Sequence, residues 1–204
     1  MENAVLNVSK NTLSVFLFTL ILSLGLTACD NDDAKQDTTA AVEDKTIILS
    51  ADGIGPINAT TSFNMHQMTL AFSDYSVVEE VNFQDGNPFP AIRISEGVKT
   101  ILNIIPDAAH KNIYSVIIED NIIQNSLGHH LGTLYNKVYT YGQNEQCQAG
   151  YSDMSGKVLC YAPNTPNILY VFNGKWDNPV TGKIPPADVL QGWSLESIIW
   201  RPKS

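Results

Sequence analysis

Short segments rich in Val, Ile, Tyr and Phe recur along most of this chain, and turn-forming residues separate them. Such side chains favour strands because they pack well on a pleated surface. Turn signals such as the Asp-Gly-Asn-Pro string at 85–88 and Asn173-Gly174 lie between the segments. Consecutive strands at this spacing predict antiparallel pairing, so we expect a mainly β (α+β) domain built as an antiparallel sandwich or half-barrel. The predicted strands cover 46–49, 75–83, 89–94, 98–105, 113–119, 158–161, 168–172 and 195–200.

Two segments outside these strands are patterned as short helices. Asn64 stands three residues before a glutamine, the spacing of a capping box, and predicts a helix that runs to about Phe72. Thr133 can likewise cap a helix over 134–141, with Gly142 in the left-handed position that follows a helix. We expect both helices to cover the core of the sheet.

A short string near the first strand is echoed later in the chain. Ile-Ile-x-Ser-x-x-Gly at 47–53 matches Ile-Ile-x-Asn-x-x-Gly at 122–128, and each precedes one of the predicted helices. A match this short arises by chance as readily as by duplication. The echo therefore indicates only an α+β element within the β domain.

An apolar run at 13–26, preceded by Lys10, ends in Leu26-Thr27-Ala28-Cys29. A run of this length is too short to cross a bilayer, which takes about 20 residues, so it predicts a cleaved signal peptide over 1–28. The final string resembles the lipobox of bacterial lipoproteins. That resemblance implies a diacylglycerol on the Cys29 thiol, cleavage before Cys29, and acylation of the new amine, for instance by palmitate. Several acyl chains make a durable membrane anchor. An ordinary signal peptide with an incidental cysteine is the alternative.

Residues 29–45 contain almost no large apolar side chain and predict a lipidated, disordered tether ahead of a single β-rich periplasmic domain over 46–204. Positions 30–44 hold six acidic residues and one base, which is more than half of the formal net charge of -9. A charged linker that stays extended accounts for this composition. An Asp directly after the lipidated cysteine resembles the inner-membrane retention signal of enterobacterial lipoproteins. Asp30 therefore favours the inner membrane, with the outer membrane as the alternative.

Cys147 and Cys160 remain as an even pair once Cys29 is acylated. On the oxidising side of a membrane, such a pair is expected to form a disulfide. The segment between them is rich in Gly, Ser and Asp and can turn back on itself. Free thiols or a redox pair are the alternative, although the Cys-x-x-Cys spacing of thioredoxin-like chemistry is absent.

Four features together resemble the YfeY-like family of bacterial lipoproteins. They are the Ser-Ala-Asp-Gly-Ile-Gly-Pro-Ile string at 50–57, the turn at 128–132, the cysteine pair, and the ending Ile-Ile-Trp-Arg-Pro at 198–202. The resemblance spans about 46 to 202. It implies a β-rich periplasmic domain of a domain-of-unknown-function family and a link to the RpoE (sigma-E) envelope-stress regulon. No catalytic motif comes with it, so no functional residue is carried over.

Other motifs fall short of a known reaction. The Gly-Ile-Gly-Pro string at 53–56 lacks the dinucleotide and Walker spacings and predicts a tight turn. The histidines at 129–130 are neighbours whose rings point apart, which argues against a metal site. Ser152 lacks the second glycine of a nucleophile elbow. The acidic pairs at 79–80 and 119–120 predict a solvated sheet face.

Aromatic residues are concentrated near the end of the chain. Core packing explains most of them. Trp176 and Trp193 stand beside glycine or proline, where an indole can form an exposed platform. We place a candidate binding surface for glycan or peptide at these two residues.

These features favour a lipid-anchored periplasmic lipoprotein of the cell envelope with a non-enzymatic binding or structural role linked to envelope stress. Its expected partners are the membrane, through Cys29, and an unknown envelope protein or glycan. A net charge of -9 argues against nucleic acid, because phosphate backbones are bound through Lys and Arg. No cofactor or metal is expected. The alternative is an envelope hydrolase or transferase that acts on glycan or peptide through the aromatic surface.

Overall fold

The computed structural model describes residues 46–84, 86–143 and 145–203. The predicted signal peptide over 1–28 lies outside the described residues. The same holds for the predicted tether over 29–45, with its lipidation site Cys29 and its sorting residue Asp30.

Strands dominate the described part of the chain, and they form two sheets. All eight strands predicted from the sequence are present, with ends shifted by a few residues. The prediction of a mainly β fold, an antiparallel sandwich with two short helices, is confirmed. In chain order the strands are β1 (Ile47–Ser50), β2 (Gly53–Ile54), β3 (Ile57–Asn58), β4 (Ser76–Gln84), β5 (Asn87–Glu96), β6 (Lys99–Pro106), β7 (Ile113–Ile118), β8 (Ile123–Asn125), β9 (Cys147–Ala149), β10 (Val158–Ala162), β11 (Thr165–Asn173) and β12 (Ser194–Trp200).

The large sheet has eight antiparallel strands in the order β4-β5-β6-β7-β12-β11-β10-β9. Its register places apolar side chains opposite one another on the face that we call the inner face. Because directly opposed residues of an antiparallel pair point to the same side, one cross-strand row runs through every strand. That row consists of Val77, Ile94, Leu102, Ile118, Ile198, Tyr170, Cys160 and Cys147.

The small sheet, in the order β3-β2-β1-β8, contains one parallel pair. Ile47 of β1 lies opposite Ile123 of β8. The two strings echoed in the sequence thus become neighbouring strands, with a register one residue away from the echo. A parallel pair needs a long connection. Here the connection carries the first half of the large sheet.

Helix α1 (Met65–Ala71) confirms the first helix prediction. The side chain of Asn64 accepts a hydrogen bond from the Gln67 amide at 2.9 Å, which satisfies one of the free donors of the first turn. Met68 and Phe72 are buried against the core. The helix therefore covers the inner face, as its apolar spacing predicts.

The prediction of a second helix over 134–141 is wrong. Only a 3-10 turn, Tyr135–Lys137, forms there. The backbone on either side bonds to a neighbouring segment instead: the Tyr135 amide donates to the carbonyl of Trp193 at 2.8 Å, and the Leu195 amide donates to the carbonyl of Thr133 at 2.9 Å. Backbone groups used in this way cannot close helical turns.

A short second helix, α2 (Ala187–Leu190), lies elsewhere and contributes the buried Leu190. No helix in the described ranges is long and apolar enough to cross a lipid bilayer.

The core lies between the inner face and the small sheet, which contributes the buried Leu49 and Ile54. Two side chains of the large sheet also donate to the backbone of the small one. The carbonyl of Ala51 accepts from Asn167 Nδ2 at 2.8 Å and from Trp200 Nε1 at 3.3 Å. These bonds join the two layers at a position where an unpaired carbonyl would be costly.

Cys147 and Cys160 are joined in a disulfide, as the sequence predicts. They are directly opposed on β9 and β10, with their Cα atoms 4.0 Å apart. The bond ties the short edge strand β9 to the sheet. Cys160 is fully buried, so the pair belongs to the packed inner face.

Candidate functional site

The outer face of the large sheet, which points away from the small sheet, is apolar over only half of its width. Its cross-strand row is apolar in β7, β12 and β11 and polar in β6 and β5. Arg93 in the polar half donates from Nε to Glu80 at 2.8 Å, and Asn103 Nδ2 donates to Glu119 at 3.1 Å, so this half forms polar contacts of its own. The row consists of Tyr161, Leu169, Ile199, Ile117, Asn103 and Arg93.

A groove of about 730 Å³ opens over the apolar half. Leu169, Val171 and Ile199 are buried beneath it, and the half-exposed Ile117 and Leu159 form its surface. The volume falls within the range of about 300–1,000 Å³ that is usual for small-molecule sites. We call this feature the outer groove.

Two loops border the outer groove, one over 107–110 after β6 and one over 150–154 after β9. Each contains a residue in the left-handed region: His110 with φ of 55° and Ser152 with φ of 51°. Among the described residues only one other non-glycine, in the turn between β10 and β11, has such a φ. Strained backbone of this kind is concentrated at binding sites and active sites.

Arg201 contributes a cation to the outer groove, one residue after the end of β12. Its backbone is fixed by Asn167, whose carbonyl accepts from the Arg201 amide at 2.9 Å. The guanidinium carbon lies 5.4 Å from the centre of the Tyr114 ring, within cation–π distance. Its Nε is buried and has no hydrogen-bond acceptor in the described part of the chain. A buried donor left without an acceptor costs about 1–3 kcal/mol.

The carboxylate of Asp107 stabilises one of the bordering loops. It accepts from the Lys111 amide and from Asn112 Nδ2, each at 2.9 Å. These hydrogen bonds favour the charged form and lower the pKa of Asp107. Each oxygen accepts a bond from the loop itself, and the lowered pKa makes Asp107 a weak base that contributes a negative charge to the rim.

Comparison with known proteins identifies the family to which this domain belongs. The family described as "Protein of unknown function (DUF1131)" matches residues 41–202. The chain belongs to the DUF1131 family. Its structure is similar to the crystal structure of the uncharacterized protein yfeY from Escherichia coli, with 25% identity and a TM-score of 0.62. The match covers 76% of this chain and 99% of that one. The YfeY-like resemblance is confirmed, and no curated protein matches the chain.

Trp176 and Trp193, the predicted binding surface, both line a second pocket of this DUF1131 domain, of about 340 Å³. Trp193 is only 3% exposed, and its Nε1 donates to the carbonyl of Lys175 at 3.4 Å. A Cβ on Gly174 would lie 2.3 Å from its ring, so the strand passes directly against the indole. Trp193 thus offers almost no surface to a ligand. Binding at the half-buried Trp176 stays a prediction.

The two histidines at 129–130 have different hydrogen-bond partners. The hydroxyl of Tyr170 accepts from Asn125 Nδ2 at 2.8 Å and lies 2.9 Å from Nδ1 of His129. His130 instead donates from Nδ1 to the carbonyl of Leu131 at 2.9 Å. In the described part of the chain, no three His, Cys, Asp or Glu side chains are grouped to hold a metal ion.

Burial favours the neutral forms of both Tyr170 and His129 where their side chains meet. Desolvation lowers the pKa of His129, and the neighbouring His130 lowers it further. Desolvation raises the pKa of Tyr170 to about 12, although the bond from Asn125 opposes the rise. A neutral imidazole whose Nδ1 accepts a hydrogen bond from the phenol hydroxyl satisfies both groups.

The tight turn predicted at 53–56 forms at Gly55 and Pro56, which join β2 to β3, whereas Gly53 lies within β2 opposite Asn58. A Cβ on Gly53 would lie 2.0 Å from the Ile57 carbonyl oxygen, so the two strands pass close together there. The prediction of a solvated face is wrong for Asp120, which is 7% exposed. This carboxylate lies past the end of β7, where it accepts from the Ile122 amide at 2.8 Å and pairs with Lys99. Its role is to hold the turn that leads into β8.

Sequence reasoning missed the outer groove. A usable signal was present: β11 is apolar at consecutive positions from Ile168 to Phe172, so both of its faces need cover. The sequence did not show that one of those faces is only partly covered, because the cover comes from the distant loop over 150–154.

Proposed function

We propose that this DUF1131 protein is a lipid-anchored lipoprotein of the bacterial cell envelope, and that its β domain binds a small apolar ligand in the outer groove without catalysing a reaction. The outer groove is the observation that carries the proposal. It combines an apolar floor, strained bordering loops and a volume suited to a small molecule.

Two further features support the envelope location. Leu26-Thr27-Ala28-Cys29 has the form of a lipobox, with Cys29 as the lipidated residue and Asp30 as a residue that favours the inner membrane. A disulfide between Cys147 and Cys160 suits the oxidising periplasm, since such bonds are rare in the bacterial cytosol. The link to envelope stress rests on the YfeY-like resemblance.

A hydrolase or transferase is less well supported. The pocket at Trp176 and Trp193 is lined by no Asp, Glu or His among the described residues, so it lacks a general base of the usual kinds. In the outer groove, both oxygens of Asp107 are bonded within its own loop, and His110 and Asp153, which also line the groove, stand in the two separate bordering loops. Binding is therefore the function that the geometry favours.

Groove binding is tested with the neutral dye N-phenyl-1-naphthylamine, which fluoresces in apolar surroundings. The domain over 46–204 is used, because the solved yfeY chain, to which it is similar, is 99% covered by the match. We expect saturable binding that Leu159→Glu abolishes. Val78→Glu, on the outer face but outside the groove, is the matched control. Absence of binding, or equal binding by the Leu159 variant with an unchanged circular dichroism spectrum, would contradict the proposal.

The anchor is tested in the full chain. Cys29→Ser should leave an uncleaved precursor or release the domain into the periplasm, because the modified thiol carries the acyl chains. Membrane fractionation and the mass of the mature protein measure this outcome. Unchanged processing and membrane retention of the variant would refute the anchor.

Asp30→Ser should move the protein from the inner to the outer membrane. An outer-membrane location of the unmodified protein would refute the sorting role.

A further inference from the structure

One donor in the outer groove has no acceptor. Nε of Arg201 is buried and unpartnered in the described part of the chain, although the same residue bonds to Asn167 through its backbone. Buried polar groups are nearly always paired. Because Nε is enclosed by protein atoms, a ligand in the groove would meet the terminal nitrogens of Arg201, a residue that lines the groove and whose guanidinium has no hydrogen-bond acceptor or ion-pair partner in the described part of the chain.

We propose that the outer groove binds a monocarboxylate on an apolar chain, the chemistry of a fatty acid, with the carboxylate at Arg201 and the chain along the floor. This inference rests on the proposed binding function and names its ligand class. A guanidinium presents a planar fork, and a carboxylate can accept from its two terminal nitrogens at the same time.

The position of Arg201 suits this arrangement. It follows Trp200 directly, and the preceding outer-face residue, Ile199, lies in the apolar floor beside Ile117. The cation is thus at one end of an apolar strip. The ring of Tyr114 lies against the guanidinium and is half exposed, so it can flank a bound head group as well.

The other charges of the outer groove limit the ligand to one negative charge. Asp107 and Asp153 both line it, and the pKa of Asp107 is lowered, which keeps that carboxylate ionised. A phosphate monoester carries up to two charges near neutral pH. It would face one guanidinium and two carboxylates, whereas a single carboxylate can pair with Arg201 alone.

The floor provides the matching apolar surface. Leu169 and Val171 are buried below it, while Ile117 and Leu159 remain partly exposed beside Met154, which packs against the same cluster. Covering such surface releases about 25 cal/mol for each Å² removed from water. An alkyl chain supplies that cover without polar groups that would need partners.

Competition against the bound dye tests the ligand class. Octanoate and 1-octanol have the same chain length and differ in the charge of the head group. We expect octanoate to displace N-phenyl-1-naphthylamine at a concentration about tenfold lower than 1-octanol, the effect of one charge-assisted pair. Arg201→Gln should remove that preference while dye binding persists, and Arg201→Lys should retain part of it. Arg93→Gln, which removes an arginine paired with Glu80 outside the groove, should change nothing.

The outcomes separate the two proposals. Equal displacement by octanoate and 1-octanol, or a preference that survives Arg201→Gln, would overturn the carboxylate assignment and leave the apolar binding function standing. Stronger displacement by octyl phosphate than by octanoate would also overturn it. Failure of the dye to bind at all would overturn the binding function itself.

Discussion

The two faces of the large sheet are packed in very different ways. On the inner face, Ile94, Tyr170 and Trp200 are fully buried beneath the small sheet and its connections. On the outer face, Leu169 and Val171 are also buried, yet the neighbouring Ile117 and Leu159 stay half exposed at the edge of a groove. The same strands thus carry a complete core on one side and an incomplete one on the other.

This difference separates residues kept for stability from residues available for binding. A sheet face with apolar residues and partial cover loses some of the free energy that full burial would supply. Proteins retain such surfaces mainly where a ligand or partner covers them. The polar half of the outer face, with Arg93 paired to Glu80, shows that this sheet can also form an ordinary solvated surface.

The largest expected effect is a loss of stability on the inner face. Phe172→Ala removes a fully buried ring that contacts Tyr135 and Tyr139, and it should lower the free energy of unfolding by about 3–5 kcal/mol. Leu159→Ala on the outer groove should cost less than about 2 kcal/mol, because that side chain is already partly exposed. Urea denaturation of both variants checks the comparison. Equal losses would show that the two faces are packed alike.

The disulfide should have the next largest effect. Replacing both Cys147 and Cys160 with Ser should lower stability by about 2–4 kcal/mol while leaving the secondary structure nearly unchanged, because the bond constrains the unfolded chain and β9 is a short edge strand. Mass spectrometry of the non-reduced protein, cleaved between the two residues, checks the bond. Separate peptides that react with an alkylating reagent would rule it out.

We expect pH to have an intermediate effect on stability, through His129 at the rim of the inner face. The pKa of His129 is lowered by burial below its usual 6.5, so the unfolded chain binds more protons than the folded one as pH falls through that value. Stability should therefore decrease below about pH 6.5, which thermal melts at several pH values can measure. His129→Gln should remove this part of the decrease. The matched variant His66→Gln, at an exposed position of α1, should keep it, and identical profiles for both variants would contradict the assignment.

The smallest effect should come from the outer groove. Arg201→Met keeps the apolar stem and removes the unpartnered donor, so the free energy of unfolding should change by less than about 1 kcal/mol in either direction. Calorimetry of the unliganded domain checks this. A loss above about 2 kcal/mol would show that Arg201 stabilises the fold itself and would weaken its assignment to a ligand.

Much of the fold could be predicted from local patterns. The eight main strands, the cap of α1 at Asn64 and the tight turn at Gly55 and Pro56 each depend on residues close in the chain, and the structure contains them. The helix predicted over 134–141 was wrong because its backbone groups bond to Trp193 and Leu195. A local pattern cannot reveal a competing partner so distant in sequence.

The amino-acid sequence alone determined the class of fold, the pairing of Cys147 with Cys160, and the family resemblance, because strand propensity, turn chemistry and cysteine number are local or compositional properties. Only the tertiary structure decided where a ligand could bind. Ile117 and Ile199 become neighbours through the pairing of β7 with β12, and this pairing forms the apolar floor beside Arg201. Contacts between distant strands depend on the order of strands in the sheet, which no single segment encodes.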